Sequence, residues 1–213
     1  MRVRISRVHH PVTVLGPGER FGVWFQGCTI GCAGCIAQDT WDADGGTDTT
    51  VDEVLAVLAE RCPEGVEGLT VSGGEPFEQP EALAALIDGV RAHAVRTGTE
   101  TDVMVYSGMS LERLEADHAD VVARVDVLVP EPYRPGSGPG GVWRGSANQP
   151  MLLRTALARD RFRDLPVEDR SLQVHVEDGR IWLIGVPRPG DAERLARRLR
   201  DQGLVVDGTS WRG

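Results

Sequence analysis

The sequence predicts an α/β protein: an open, partial (β/α)6-type parallel barrel followed by a C-terminal β-hairpin and helix. Short apolar runs alternate with amphipathic helical segments over most of the chain, a pattern typical of parallel βαβ units. A closed eightfold barrel takes about 250 residues. This chain has 213 residues and about five or six βα units before the hairpin. We therefore expect an open core at 1–160 and an extension at 161–213.

Local patterns predict the elements of the core. Alternating runs at 3–5 and 12–14 predict short strands, and residues 21–26 predict a strand that leads into a cysteine-rich loop. Thr50 and Glu53 have the spacing of a capping box, so a helix is expected to begin there and to end before Pro63. The other predicted core elements are strands at 68–72, 102–106 and 125–129 and helices at 80–96 and 111–119.

The tail has a different pattern. Residues 172–176 and 181–184 flank Asp178-Gly179, which is the signature of a β-hairpin with a tight turn. A last helix is expected from about 191 to 201, with the apolar residues 204–206 beyond it.

Composition narrows the class of function. The net charge of −9 argues against a general nucleic-acid binder, and no apolar run approaches the ~20 residues of a membrane-spanning helix. All 23 basic residues are arginine, which excludes a lysine Schiff base or a P-loop lysine. The first residues do not resemble a secretory signal. Clustered cysteines then predict metal binding in a reducing cytoplasm rather than disulfide bonds.

Three of the four cysteines, Cys28, Cys32 and Cys35, lie within eight residues. Glycines interleave with them, and because each glycine costs a helix about 1 kcal/mol relative to alanine, we expect a loop whose amides point at the sulfurs. Three thiolates can hold three irons of a 4Fe-4S cluster and leave the fourth iron open. Zinc is an alternative if Cys62 or a histidine supplies a fourth ligand, and thiols without metal are another. We expect Cys62 to be a buried structural thiol.

Other unusual segments follow the predicted strands. Gly73-Gly74-Glu75-Pro76 follows one strand, Ser107-Gly108 follows the next, and a loop rich in glycine and proline follows the third, at 130–149. The carboxyl ends of parallel strands meet at one edge of a sheet. The sequence therefore predicts that these segments and the cysteine loop converge at one functional edge.

These motifs resemble those of the radical S-adenosylmethionine enzymes. The resemblance is carried by Cys28-x-x-x-Cys32-x-x-Cys35 and by Gly73 to Pro76. More narrowly, the chain is similar to the activating enzymes of glycyl-radical proteins, in particular those of anaerobic ribonucleotide reductase. Supporting segments lie at 16–20, 24–28, 40–42, 106–108 and 144–149, and the resemblance extends over about residues 12 to 150.

The resemblance implies that the three cysteines ligate one 4Fe-4S cluster and that the open iron binds S-adenosylmethionine. Reductive cleavage would give a 5′-deoxyadenosyl radical that takes a hydrogen atom from a glycine of a partner glycyl-radical enzyme. A flavodoxin- or ferredoxin-type protein would donate the electron. The residues expected to bind the cosubstrate are Gly73, Gly74, Glu75, Pro76, Ser107, Arg144, Asn148 and Gln149.

Several residues depart from the family's pattern. Ala33 stands where proline is frequent, Met109 stands where an aromatic residue is common, and residues 130–134 replace an Asp-Gly-Pro-like segment. The tail also extends beyond a minimal activating enzyme. The hydrogen donor is therefore open. Modification of a peptide or small metabolite is a second hypothesis, and a zinc or iron–sulfur binding module without turnover is a third.

Overall fold

The computed structural model describes residues 1–164, 171–177, 179–188 and 190–203. The strands in these ranges are β1 (Arg2–Val12), β2 (Arg20–Phe25), β3 (Thr47–Thr50), β4 (Gly68–Gly73), β5 (Asp102–Tyr106), β6 (Val127–Val129), β7 (Leu152–Leu153), β8 (Gln173–Glu177) and β9 (Arg180–Ile184). The α-helices are α1 (Val51–Arg61), α2 (Pro80–Thr97), α3 (Leu111–Asp117), α4 (Ala119–Val122), α5 (Ala156–Arg161) and α6 (Asp191–Asp201). The apolar residues predicted at 204–206, and Asp178 of the predicted turn, lie outside the described residues.

A seven-stranded sheet, in the order β3-β1-β2-β4-β5-β6-β7, forms the body of the protein. Strands β2, β4, β5 and β6 are parallel, whereas β1, β3 and β7 pair antiparallel with their neighbours. The α/β class and the central parallel sheet are confirmed. The described residues contain four parallel strands rather than five or six βα units, because residues 2–12 form one antiparallel strand and residues 130–149 form a loop. The partial barrel stays a prediction.

The two faces of the sheet are covered by different elements. Alternate residues of a strand point to opposite faces, and β5 shows this clearly. Val103 and Val105 belong to the main core with helices α1 to α4, while Met104 packs on the other face with Phe162 and Ala158 of α5. The burial of both faces explains why β5 has an uninterrupted apolar run.

A buried ion pair joins the amino-terminal ends of the parallel strands. The side chains of Arg20 on β2 and Asp102 on β5 are both 0% exposed, with Nη2 and Oδ1 2.5 Å apart. Arg20 also donates to Oγ1 of Thr70 at 2.7 Å and to the carbonyl of Leu69 at 2.9 Å, both on β4. Arg161 of α5 is a second, partly exposed cation 3.1 Å from Asp102. This cluster lies at the edge opposite the cysteine loop and links β2, β4 and β5.

The predicted hairpin is confirmed as a separate two-stranded sheet, β8 and β9, whose strands pair antiparallel. It packs on β1 of the main sheet, where Nε2 of Gln173 donates to the carbonyl of Pro11 at 2.8 Å. The division into a core at 1–160 and an extension at 161–213 stays a prediction. No helix among the described residues has the length and apolar character needed to cross a membrane.

Candidate metal centre

Cys28, Cys32 and Cys35 lie in the loop after β2, at the carboxyl edge of the parallel strands. All three thiols are free and half-buried. The three interleaved glycines have positive φ angles, +96° at Gly27, +59° at Gly31 and +78° at Gly34. Glycine adopts these angles without a steric cost, so the chain can wrap around a central group. The predicted loop is confirmed.

Hydrogen-bond donors point at two of the three sulfurs. The amide of Ala37 donates to Sγ of Cys35 at 3.4 Å, and the amides of Ile30 and Gly31 face Sγ of Cys28. Burial raises the pKa of both thiols, while these donors lower it because they favour the thiolate. Trp41 also donates from its side chain to Cys35. Such donors are the groups that tune iron–sulfur clusters.

The segment after the cysteines is tied back to β2. The amide of Gly27 donates to the carbonyl of Thr40 at 2.8 Å, and the amide of Cys28 donates to the carbonyl of Trp41 at 3.1 Å. The side-chain amide of Gln26 donates to the carbonyls of Asp39 at 3.1 Å and Asp42 at 2.8 Å. Gln26 therefore positions the loop, a role that sequence reasoning missed. Its only sequence signal is a polar residue at the end of an otherwise apolar strand.

The Gly73–Pro76 segment packs directly against the entry to the cysteine loop. The amide of Gly74 donates to the carbonyl of Phe25, and the amide of Glu75 donates to that of Gly27, both at 2.8 Å. A Cβ atom added at Gly73 would lie 2.4 Å from the carbonyl oxygen of Phe25, and one added at Gly74 would lie 2.1 Å from the carbonyl oxygen of Gly27. Both glycines are therefore required for this backbone contact. Their predicted contact with a cosubstrate stays a prediction.

Glu75 and Ser107, each predicted to follow a strand at the same edge of the sheet, are in direct contact. The Glu75 carboxylate is buried and accepts hydrogen bonds from the Ser107 hydroxyl at 2.9 Å, the Gly108 amide at 2.7 Å and the Phe77 amide at 3.1 Å. Burial nevertheless raises the pKa of Glu75 to about 7. Pro76 is buried and begins the short 3-10 turn after it. Glu75 thus joins the end of β4 to the end of β5.

The raised pKa of Glu75 predicts a pH-dependent stability. The pKa of Glu75 is about 7 in the folded protein and about 4.3 in the unfolded chain. The protonated carboxyl therefore makes its full contribution to stability at low pH, and this contribution is lost as the pH rises toward 7. Glu75→Gln removes this loss. The free energy of unfolding of the variant, relative to that of the wild type, should therefore rise by up to about 3 kcal/mol as the pH rises from 4.5 to 7.5. Unfolding midpoints of both proteins across this range measure the gain, and a constant difference would contradict the assignment.

The 130–149 loop brings Arg144, Asn148 and Gln149 close together. Nη1 of Arg144 donates to the carbonyl of Gln149 at 3.1 Å, and Nε2 of Gln149 donates to the carbonyl of Glu131 at 2.9 Å. Nδ2 of Asn148 donates to the carbonyl of Pro132 at 2.9 Å. The three side chains therefore brace the loop itself. Oδ1 of Asn148 is buried and has no hydrogen-bond partner among the described residues.

The same loop reaches the cysteines through Tyr133. A side-chain carbon at Gly34 would lie 3.5 Å from Cε1 of Tyr133, and one at Gly145 would lie 3.0 Å from Cδ2 of the same ring. The ring therefore lies between the cysteine loop and the segment that carries Arg144. The predicted convergence of these segments at one edge is confirmed.

Cys62 has a different environment. It lies at the end of α1 in the main core, is 3% exposed, and has a pKa raised to about 11 by burial. Its predicted burial is confirmed. Nε2 of His93 lies 2.8 Å from the backbone carbonyl of Cys62. His9 and His175 stack on each other, with ring centroids 4.5 Å apart. Among the described residues, no group of three or more histidine, cysteine, aspartate or glutamate side chains is arranged to hold a single metal ion.

The donor set fits an iron–sulfur cluster. Three free thiols share one loop, amides point at two of their sulfurs, and Oδ1 of Asn148 has no hydrogen-bond partner among the described residues, on a loop at the same edge of the sheet. A four-ligand zinc site would need a further side chain, and the described residues do not place Cys62 in that position.

Residues 14–152 match the family model of the 4Fe-4S single cluster domain. This chain belongs to that family. The anaerobic ribonucleoside-triphosphate reductase-activating protein of Vibrio cholerae is 33% identical over 149 residues, which are 66% of this chain and 92% of that protein. The corresponding protein of Enterobacteria phage T4 is 28% identical over 152 residues, 70% of this chain and 94% of that protein.

A second kind of activating enzyme also aligns with the chain. The pyruvate formate-lyase-activating enzyme of Clostridium pasteurianum is 36% identical over 101 residues, 46% of this chain and 42% of that protein. These relatives confirm the resemblance to radical S-adenosylmethionine activating enzymes. The family match ends at residue 152, so the hairpin and α6 lie beyond it.

Proposed function

We propose that this protein activates a glycyl-radical enzyme through reductive cleavage of S-adenosylmethionine. One electron and one S-adenosylmethionine give methionine and a 5′-deoxyadenosyl radical. That radical takes a hydrogen atom from a glycine Cα of the partner, which leaves 5′-deoxyadenosine and a glycyl radical. The observation that carries this proposal is a loop of three free thiols locked to the Gly73–Pro76 turn, in a chain related to activating proteins.

The chain's own residues have distinct parts in this proposal. Cys28, Cys32 and Cys35 would hold a 4Fe-4S cluster as thiolates, and the cluster, when bound, would supply the electron and an iron open to the cosubstrate. The amides around the cysteines would favour the thiolate form. The half-buried loop would limit water around the reactive species.

The predicted cosubstrate residues divide into two groups by their contacts. Glu75, Ser107 and Gln149 are buried and already hydrogen-bonded within the protein, so we expect them to shape the site and hold its loops. Gly73, Gly74 and Pro76 would set the same turn. Asn148 has a buried oxygen with no partner among the described residues. We expect the side chains of Asn148 and Arg144 to bind the cosubstrate's ribose or carboxylate.

The partner and electron donor follow from the same chemistry. The main sheet is open in the described residues, with β3 and β7 at its edges, and we propose that it curves as a partial barrel whose open side admits a partner's glycine loop. A flavodoxin- or ferredoxin-type protein would supply the electron, and a reducing cytoplasm suits both the thiols and the radical.

The test uses protein reconstituted anaerobically with iron and sulfide. We expect about four irons per chain, release of 5′-deoxyadenosine with dithionite, and a glycyl-radical EPR signal when an anaerobic ribonucleotide reductase from the same cell is added. A colourless protein with one tightly bound zinc would overturn the proposal. The cosubstrate without enzyme, and enzyme without reductant, are the controls.

A second candidate keeps the cosubstrate but changes the hydrogen donor. It is favoured by the hairpin and α6, which lie beyond the region shared with the family, and by the packing of the hairpin on β1. Under this alternative the substrate is a peptide or small metabolite. Cleavage of S-adenosylmethionine with an EPR-silent reductase partner would support this alternative.

A further inference from the structure

Three side chains connect the C-terminal hairpin to the segment that follows the cysteines. The guanidinium carbon of Arg7, on β1, lies 5.4 Å from the ring centroid of Trp182 on β9. Nη2 of Arg7 also lies 2.6 Å from Oδ2 of Asp39, which follows Cys35 by four residues. Trp182, Arg7 and Asp39 therefore form a continuous line from the extension to the loop that carries the sulfurs.

Several contacts hold this line in place. Gln173 fixes the hairpin on β1, because its Oε1 accepts from the amide of Thr13 at 3.2 Å and its Nε2 donates to the Pro11 carbonyl at 2.8 Å. His175 stacks on His9 with centroids 4.5 Å apart and lies 5.7 Å from Trp182. The aromatic ring is therefore held over Arg7 by the hairpin's own packing.

Asp39 is held where its charge acts on the cysteine loop. Its backbone carbonyl accepts from the Gln26 side chain at 3.1 Å. Asp39 lies in the 3-10 turn Gln38–Thr40, which directly follows Ala37, and the amide of Ala37 donates to Sγ of Cys35 at 3.4 Å, so this carboxylate belongs to the segment that contacts the sulfur. The side chain of Arg7 is only 18% exposed and that of Asp39 40%. Solvent therefore screens their charges less than those of a fully exposed pair.

We propose that Arg7, held by Trp182 of the C-terminal hairpin, neutralises Asp39 and thereby raises the reduction potential of a cluster bound at the three cysteines. This inference rests on the proposed function. Reduction adds one negative charge to the cluster, so a nearby carboxylate opposes it and a nearby guanidinium favours it. Arg7 and Trp182 are positioning residues, and the extension takes part in the core's chemistry through them.

The test measures the midpoint potential of the cluster by EPR-monitored redox titration of reconstituted full-length protein. At a fixed potential, Arg7→Gln should lower the ratio of reduced to oxidised cluster about threefold, a shift of about 28 mV at 59 mV per tenfold for one electron. Asp39→Asn should raise the ratio, and the double variant should return it near the wild-type value. Arg7→Lys keeps the charge and should rescue most of the shift.

The tail's part is tested separately. Trp182→Ala should lower the ratio in the same direction as Arg7→Gln but by less, and Trp182→Phe should restore it. The matched control is Arg163→Gln, which breaks an exposed pair with Asp160 near the opposite edge of the sheet, and it should leave the potential unchanged.

Iron content separates failure of this inference from failure of the proposed function. Four irons with an unchanged potential in Arg7→Gln, or in Trp182→Ala, would overturn the inference and leave the proposed function intact. A wild-type protein that binds no cluster would overturn both. If Arg7→Gln misfolds, the Asp39→Asn variant decides, because an unchanged or lowered ratio in that variant also overturns the inference.

Discussion

Replacing Cys28, Cys32 or Cys35 with alanine is expected to abolish cleavage of S-adenosylmethionine, with activity lowered more than about 100-fold. Loss of an outer-shell group already costs 10- to 100-fold in metal affinity or activity, and these changes remove a ligand itself. The three thiols share one loop, and the described residues place no further thiol beside them. Iron content, the EPR spectrum of the reduced protein and 5′-deoxyadenosine release measure the effect.

Cys62→Ala is the matched control for these variants. Its thiol is buried in the main core at the end of α1, so the change should leave about four irons and near wild-type cleavage. It should lower stability by about 1 kcal/mol through the small cavity that it creates. Equal loss of iron in Cys62→Ala and Cys32→Ala would refute the ligand assignment.

Local sequence signals predicted most of the elements that carry the site. Both hydrogen bonds of the predicted capping box between Thr50 and Glu53 are present, so α1 begins where the spacing of these two residues indicated. The helix predicted at 80–96 is present as α2 and extends one residue further, to Thr97. The cysteine loop and the Gly73–Pro76 turn were also recognisable, because glycine spacing and strand ends are local features.

Contacts between distant residues were harder to predict. The run at 3–5 and Val12 of the run at 12–14 belong to one eleven-residue strand, because residues 7–9 between them pair with β2. The helix predicted at 111–119 ends at Asp117, and α4 follows at Ala119. The joining of the two strand runs has no local cause, since tertiary pairing overrides local propensity.

The candidate site shows the same limit. Its residue types were evident from the sequence, but their partners were not. Glycine at 73 and 74 is required by the nearby backbone of Phe25 and Gly27, and the Glu75 carboxylate accepts hydrogen bonds from Ser107 and Gly108 after β5. Gln79 was not singled out, although its side chain joins the carbonyls of Arg4 and Gln26 at 3.0 Å. Such roles depend on the assembled sheet, which no short window of sequence contains.

The second large effect is expected from the buried ion pair at the opposite edge. Asp102→Asn should lower the free energy of unfolding by about 3 to 5 kcal/mol, because it leaves the guanidinium of Arg20 buried without a counter-charge. Arg20 is 0% exposed and has no access to water that could replace the carboxylate. Arg161, which also faces Asp102, would lose its partner at the same time.

Arg20→Met should be less harmful than Asp102→Asn, and this asymmetry tests the physical account. After Arg20→Met, the Asp102 carboxylate keeps Arg161 at 3.1 Å as a partner, and that side chain is 22% exposed. The methionine would fill part of the space that the Arg20 side chain occupies beside Gly68 of β4. The exposed pair of Arg113 and Asp117 is the control, and Arg113→Gln should cost less than about 1 kcal/mol.

Urea unfolding of the reconstituted protein under anaerobic conditions measures all three variants at matched iron content. If Asp102→Asn and Arg20→Met cost the same, Arg161 contributes nothing to the carboxylate and the three-residue description is wrong. If Asp102→Asn costs less than 1 kcal/mol, the ion pair does not hold the amino-terminal ends of the strands together. Cosubstrate cleavage by the folded fraction should stay near the wild-type rate in each variant, because the pair lies at the edge away from the cysteines.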